Sequence, residues 1–300
     1  MEHLKNNAGF TETKNPPEPG VPQMIANRRV TSYILHTFNL RAHKNMGQNF
    51  LVDEEAVKKI AAAAELTPED TVLEIGPGIG TLTEALALTG ARVVAVELDK
   101  RLIEVLAKTL ADYKNVEVVQ GDILKLDIPA VMGPKPFKVA ANLPYYITTP
   151  IIFSLLEQHL PLERLVVMVQ KEVAQRVVAS PGSRQYGVLS VSMQYYTEPE
   201  LAFQVPAASF LPSPKVDSAV LVCKRRLTPP VKVQDEKRFF KVVEAAFSMR
   251  RKMLSNSLQN AGLTGPETAA WLEAAGVDGK RRAETLSLQE FADLANAFPK

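Results

Sequence analysis

The chain has 300 residues, of which 46% are hydrophobic and 23% charged, and its net charge is +2. That length exceeds what one small core usually holds, so a large domain with a smaller companion is expected, and the composition is ordinary for a globular protein. No apolar run approaches the about 20 residues that cross a bilayer, and the polar N-terminus lacks the apolar stretch of a secretory signal.

Residues 1–23 hold Pro16, Pro17, Pro19 and Pro22. They contain little that could build a core, so a disordered extension is expected there, and Met24 opens a segment that looks more like a protein start. Asn27–Phe38 carries a helical pattern, followed by a basic, glycine-containing stretch from Arg41 to Leu51. Asp53 is a fitting N-cap for a helix to Glu65, rich in alanine. Strands and helices then alternate. The strands are expected at Val72–Ile75, Arg92–Val96, Val116–Val119, Phe137–Ala140 and Leu165–Val169, with helices at Thr81–Leu88, Arg101–Leu110 and Pro150–Gln158. Short apolar strands separated by helices indicate an α/β fold, a parallel sheet covered on both faces. After helices at Lys171–Ala179 and Val188–Tyr196, two late β segments, Leu201–Val205 and Ser218–Lys224, suggest an antiparallel addition at the sheet edge. Beyond Leu227 the strand pattern stops. Lys237–Phe247, Lys252–Ala261, Thr268–Ala275 and Ser287–Ala297 read as helices, so the expected division is a domain over 24–226 and a small all-α domain over 227–300.

Chemistry concentrates at the ends of the strands. Val72-Leu73-Glu74-Ile75-Gly76-Pro77-Gly78-Ile79-Gly80 runs from a strand through spaced glycines into a helix, so that a ligand can lie against bare backbone at Gly76 and Gly78. Nicotinamide, flavin and sulfonium cofactors all use such loops. Glu97 closes the next strand, 21 residues after Gly76, where a carboxylate can accept both hydroxyls of an adenosine ribose. Asp122 ends the strand after that and can receive the adenine amino group of an S-adenosyl cofactor. The two together favour the sulfonium cofactor over nicotinamide.

The fourth strand leads into Asn142-Leu143-Pro144-Tyr145-Tyr146. Adenine N6 is a poor nucleophile because its lone pair is delocalised into the ring. Two acceptors on its N–H groups, the Asn142 side-chain oxygen and the Leu143 carbonyl, can draw the nitrogen toward tetrahedral geometry and free that pair. Pro144 fixes the loop, and Tyr145 can stack on the base and hold it in line. Further on, Phe210-Leu211-Pro212-Ser213-Pro214-Lys215 presents Phe210 as a second face for the base and Lys215 as a phosphate contact, with core packing as the rival role for Phe210. The lone Cys223 sits in an apolar run and is expected as a buried cytoplasmic thiol. The four histidines lack cysteine companions, so no metal site is expected. Net charge divides into +3 over residues 1–50, −3 over 51–226 and +2 over 227–300, a mildly acidic middle between basic flanks. Arg250, Arg251 and Lys252, then Lys280, Arg281 and Arg282, form two basic clusters that suit phosphate contact or plain exposure alike.

On these motifs, together with Lys44-Asn45-Met46-Gly47-Gln48-Asn49-Phe50-Leu51, Val169–Arg176 and Arg250–Leu254, the chain resembles the bacterial KsgA/RsmA family of small-subunit (16S) ribosomal RNA adenine N6,N6-dimethyltransferases. The likeness runs from about Met24 to about Pro299. It implies a Rossmann-like S-adenosylmethionine methyltransferase sheet, mostly parallel with an antiparallel edge strand, and a helical domain that contacts RNA. It implies two methyl transfers to each of two adjacent adenines in a hairpin loop near the RNA 3′ end, within a nearly assembled small ribosomal subunit. Asn49, Leu51, Gly76, Glu97, Asp122 and Asn142 would contact cofactor. Lys44, Lys215, Arg250, Arg251, Lys252, Arg281 and Arg282 would be the RNA contacts. Ser255 departs from the family, which often carries another basic residue there. A monomer acting in the cytoplasm is expected. The neighbouring alternatives are an Erm-type large-subunit methyltransferase and a non-catalytic assembly factor. The loop Phe210–Ser218 and Arg250–Lys252 favour the small-subunit enzyme over the first, and the intact Asn142, Tyr145, Glu97 and Asp122 argue against the second.

Overall fold

The computed structural model describes residues 23–40 and 48–299. Of the extension expected over 1–23, all but Gln23 lies outside the described residues, as does Lys44. In chain order the elements are α1 (Arg28–Thr37), β1 (Phe50–Leu51), α2 (Glu54–Ala63), β2 (Thr71–Ile75), α3 (Thr81–Ala87), β3 (Arg92–Glu97) and α4 (Lys100–Thr109). Then come β4 (Val116–Gln120), α5 (Ile128–Met132), β5 (Phe137–Asn142), α6 (Thr148–Glu157), β6 (Leu162–Gln170), α7 (Lys171–Val177) and α8 (Val188–Tyr196). The chain ends with β7 (Thr197–Val205), β8 (Phe210–Leu211), β9 (Ser218–Arg225), α9 (Glu236–Phe247), α10 (Leu254–Ser257), α11 (Gly265–Ala274) and α12 (Leu288–Asn296).

Seven strands form a mostly parallel sheet in the order β4-β3-β2-β5-β6-β9-β7. Leu73 at the centre of β2 stands opposite Val94 on one side and Val139 on the other, both parallel pairings. These three residues are at most 1% exposed, which is why the central strands read as apolar runs without alternation. The late β pair is at the sheet edge, but β9 lies inside β7, against β6.

Packing groups the residues into two compact units. The first takes the described residues up to Leu162, with Val166–Met168 and Gln204–Ser218. In it, the Asn27 side chain caps α1, and Asp53 caps α2 by accepting from the Ala56 amide at 3.0 Å. Ile25, Val30 and Ile34 pack with Phe50, Ile79, Leu102, Val105 and Leu106, joining α1 and β1 to the glycine turn and α4. The buried Glu84 carboxylate accepts from the Ile25 amide at 2.7 Å and the Tyr113 hydroxyl at 3.0 Å, so this junction is anchored by polar bonds as well as by apolar burial.

The second unit comprises Glu163–Leu165, Val169–Phe203 and the described residues from Ala219 on. Its α9 packs on α12, and Trp271 donates to the Leu294 carbonyl at 2.7 Å. Ser287 and Glu290 form a capping box at the start of α12. The helix expected over 252–261 is shorter than its pattern. Only Leu254–Ser257 is α-helical, and Leu258–Ala261 tightens to a 3₁₀ turn. The Leu254 and Ser255 amides donate instead to the Arg281 and Gly279 carbonyls, at 2.7 and 3.0 Å, so tertiary partners claim the groups that would start the helix. The two-residue strands β1 and β8 and the short α5 carry no readable periodicity and were not expected.

Candidate active site

The C-terminal ends of β2, β3, β4 and β5 open on one cleft in the first unit, which encloses about 1090 Å³ with its open mouth. Asn49, Leu51, Gly76, Gly78, Glu97, Asp122, Asn142, Leu143, Pro144 and Tyr145 all line it. Gly76 and Tyr145, 69 positions apart, meet here because parallel strands bring their C-terminal ends to one edge.

The glycine turn is a backbone device. Gly76 and Gly78 have φ of +70° and +64°, in the left-handed region that costs a side-chain-bearing residue about 1–2 kcal/mol. A Cβ on Gly78 would stand 3.6 Å from the Phe50 ring, and one on Gly76 would stand 4.0 Å from Pro144. Glu97, 6% exposed, spans the turn: Oε2 accepts from the Gly78 amide at 3.2 Å and Oε1 from the Asp99 amide at 2.8 Å. Burial raises its carboxyl above the ordinary range, partly offset by those amides. Its neighbour Asp99 goes the other way, lowered by the Arg101 guanidinium that bonds both its oxygens. Gln48 also reaches Asp99, at 3.4 Å. Asp122 is half-buried, accepting from the Leu124 amide at 3.1 Å, with Lys125 at 3.7 Å.

Asn142 closes β5, and the chain leaves the sheet through a held turn. The Leu143 amide donates to the Met168 carbonyl at 3.1 Å, and the Pro144 carbonyl accepts from the Thr148 hydroxyl at 3.0 Å. Tyr145 is half-buried, its hydroxyl 2.6 Å from that of Ser218, whereas Tyr146 is 53% exposed. The segment bearing Asn49 and Leu51 is held as firmly. β1 pairs antiparallel with β8, Leu51 opposite Phe210, and the Ser209 hydroxyl donates to Asp53 at 2.6 Å.

β8 also carries Phe210, expected as a second face for the base. Its ring is 1% exposed and is not among the residues that line the cleft. The burial matches the rival role, core packing, and the Phe210 backbone pairs with Leu51 across β1 and β8. Of the expected RNA contacts, Lys215, Arg250, Arg251, Lys252 and Arg282 are exposed. Arg281 is not free: it pairs with Glu290 and donates to the Thr285 carbonyl at 2.7 Å, cross-linking the turn before α12.

Glu74 escaped the sequence analysis. It is 1% exposed, lines the cleft from within β2, and its Oε2 has no hydrogen-bond partner among the described residues. Burial pushes its carboxyl up to about 8, with the Glu97 charge adding to the rise. The available signal was an acidic residue inside an otherwise apolar strand, since such a group is rarely buried without a task.

No helix among the described residues is long and apolar enough to cross a membrane. Among known proteins, the chain is 47% identical over 283 residues to the ribosomal RNA small subunit methyltransferase A of Geobacillus thermodenitrificans, covering 91% of this chain and 97% of that one. It is also 47% identical to the same-named protein of Enterococcus faecalis, covering 92% and 97%. Of solved structures, a dimethyladenosine transferase from Plasmodium falciparum superposes with a TM-score of 0.70 at 27% identity, covering 82% of this chain and 95% of that one. The 23S rRNA methyltransferase ErmE gives 0.64 at 32% identity, covering 83% and 99%. A family model described as ribosomal RNA adenine dimethylase matches residues 39–300, and with identity near one half along nearly the full length of these relatives, the chain belongs to that family.

Proposed function

We propose that this protein dimethylates the N6 amino groups of two adjacent adenines in a hairpin loop near the 3′ end of 16S ribosomal RNA, within the small subunit, using S-adenosylmethionine. The observation that carries the proposal is the position of Asn142–Tyr145 at the end of β5, lining the same cleft as Glu97 and Asp122. The residues present fit the cofactor: two glycines without side chains, a buried carboxylate at Glu97, and the orphaned oxygen of Glu74 in the wall. When bound, S-adenosylmethionine supplies an electrophilic methyl group.

The chain's own work is to hold and aim. Gly76 and Gly78 offer backbone at close range, Glu97 would accept the ribose hydroxyls, Asp122 would receive the adenine amino group, and Asn49, Leu51 and Asn142 would complete the contacts. On the substrate side, the Asn142 side-chain oxygen and the Leu143 carbonyl would accept the two N–H groups of the target amine. That concentrates electron density on N6 in the direction of attack. Tyr145 would stack on the base, and Pro144 keeps the turn stiff. The proton is lost after the new C–N bond forms, when the nitrogen is acidic, so no strong base is needed. A loop adenine is already partly unstacked, which lowers the cost of drawing it into a cleft. Lys44, Lys215, Arg250, Arg251, Lys252 and Arg282 are the proposed phosphate contacts, and a monomer acting in the cytoplasm fits the substrate.

Mass mapping tests this directly. Purified protein, S-adenosylmethionine and immature small subunits should give two adjacent dimethyladenosines, and naked large-subunit RNA should give none. Because the chain is 32% identical to a 23S methyltransferase, modification of large-subunit RNA alone would overturn the assignment.

A further inference from the structure

Stacking on a purine uses the face of an aromatic ring, for which phenylalanine would serve as well as tyrosine. The phenol of Tyr145 therefore calls for its own explanation. Its oxygen is 2.6 Å from Ser218 Oγ, and Ser218 is 0% exposed at the first position of β9. A hydroxyl is an expensive way to fill such a position, since a buried polar group costs free energy unless it is bonded. The Tyr145 phenol provides that bond.

Ser218 is also well placed to act as an anchor. The loop that leads into it is braced on Ala207: the Asp217 carboxylate accepts from the Ala207 amide at 2.9 Å, and the Ser213 hydroxyl donates to the Ala207 carbonyl at 2.7 Å. Pro212 and Pro214 restrict the backbone between. Tyr145, by contrast, sits on a turn outside the sheet. Its neighbour Tyr146 is 53% exposed, so nothing in the turn by itself demands that an aromatic ring be held inward.

We infer that Ser218 is a positioning residue of the methyl-transfer site, its hydroxyl tethering the far end of the Tyr145 ring so that the stacking face is set before the base arrives. The inference rests on the function proposed above. A hydrogen bond at the para position acts at the longest lever arm of the side chain and restricts both ring torsions. An untethered ring would have to be ordered at each encounter, and a small error in the base's orientation is amplified at the reacting nitrogen. The effect belongs to the orientation of bound substrate, not to cofactor affinity.

The experiment is a double-mutant cycle with Ser218→Ala, Tyr145→Phe and the pair together. It is read as kcat and KM on immature small subunits, with the Kd for S-adenosylhomocysteine by calorimetry. Each single substitution is expected to lower kcat about tenfold, leave KM within about twofold, and leave the Kd for S-adenosylhomocysteine unchanged. The double variant should be no slower than the worse single, because both remove one bond. Tyr145→Phe keeps the ring and guards against a folding artefact at the buried serine. Wild-type kcat in Ser218→Ala, independent losses that multiply in the double variant, or a loss that follows weakened S-adenosylhomocysteine binding would each overturn the tether. Should the unsubstituted protein bind S-adenosylhomocysteine but methylate no small-subunit adenine, the underlying function fails first, and this assignment with it.

Discussion

Around the cleft, ionisable groups are withdrawn from water: Glu74 is 1% exposed and Glu97 6%. In the second unit, Arg250, Arg251, Lys252 and Arg282 stand in solvent. The two regions suit different recognition tasks. A small cofactor and one amine must be met by groups already in place, so the cleft is built from strand ends, backbone amides and carboxylates whose orientation is set by burial. A phosphate backbone offers diffuse charge and can be met by mobile side chains that release counterions. Even within the basic clusters the distinction holds. Arg281, half-buried against Glu290, belongs to the architecture, whereas its neighbour Arg282 is free to meet an anion.

Substitutions should separate the two regions. The largest effect is expected at Asn142→Ala, which removes one acceptor from the target amine. Loss of one prealigned group of this kind costs about 10²–10³ in kcat, while binding to the subunit, read by sedimentation, should persist. Unchanged turnover would refute the role given to the turn. Replacing Arg250, Arg251 and Lys252 by alanine should do the reverse. Subunit affinity should weaken by about 10–100-fold, the slope of log K against log salt should fall by about 3, and S-adenosylhomocysteine should still bind normally. Arg281→Ala belongs in the same series as a contrast, because it should lower thermal stability by roughly 1 kcal/mol and leave the salt slope alone.

The smallest effect is one of pH. The Glu74 carboxyl is raised from 4.5 to about 8 by burial, so its neutral form is favoured in the folded protein. The stability this contributes is complete below the unfolded value and is lost as pH rises toward about 8. Glu74→Gln is neutral throughout. The melting temperature of the wild-type protein relative to this variant should therefore fall as pH is raised from 5 to 8. Parallel curves would show that the buried carboxyl does not titrate in this range.

Much of the architecture was legible in the chain. Apolar runs marked each long strand, and Asp53 and the Gly76–Gly80 turn marked helix starts within a residue or two. Strand-end motifs named Gly76, Gly78, Glu97, Asp122 and Asn142–Tyr145 in the cleft, because chemistry at the end of a strand depends on local order: strand, turn, then polar group. The late start of the helix expected over 252–261 was not legible, since the Leu254 and Ser255 amides are met by carbonyls of Arg281 and Gly279 that are far away in sequence. The pairing of β1 with β8 was hidden for the same reason, and with it the inward turn of Phe210.

The amino-acid order by itself determined the alternating sheet, the glycine turn, the acidic strand ends and the Asn142–Tyr145 turn, since each is written in neighbouring residues. Only the tertiary structure decided that β9 lies inside β7, that Arg281 is occupied by Glu290, that Glu74 is buried with one oxygen lacking a hydrogen-bond partner among the described residues and that Ser218 meets Tyr145. Each of these depends on contacts between segments distant in the chain, and burial, which sets the cost of a lone charge and the worth of a single hydroxyl bond, exists only once those segments have packed.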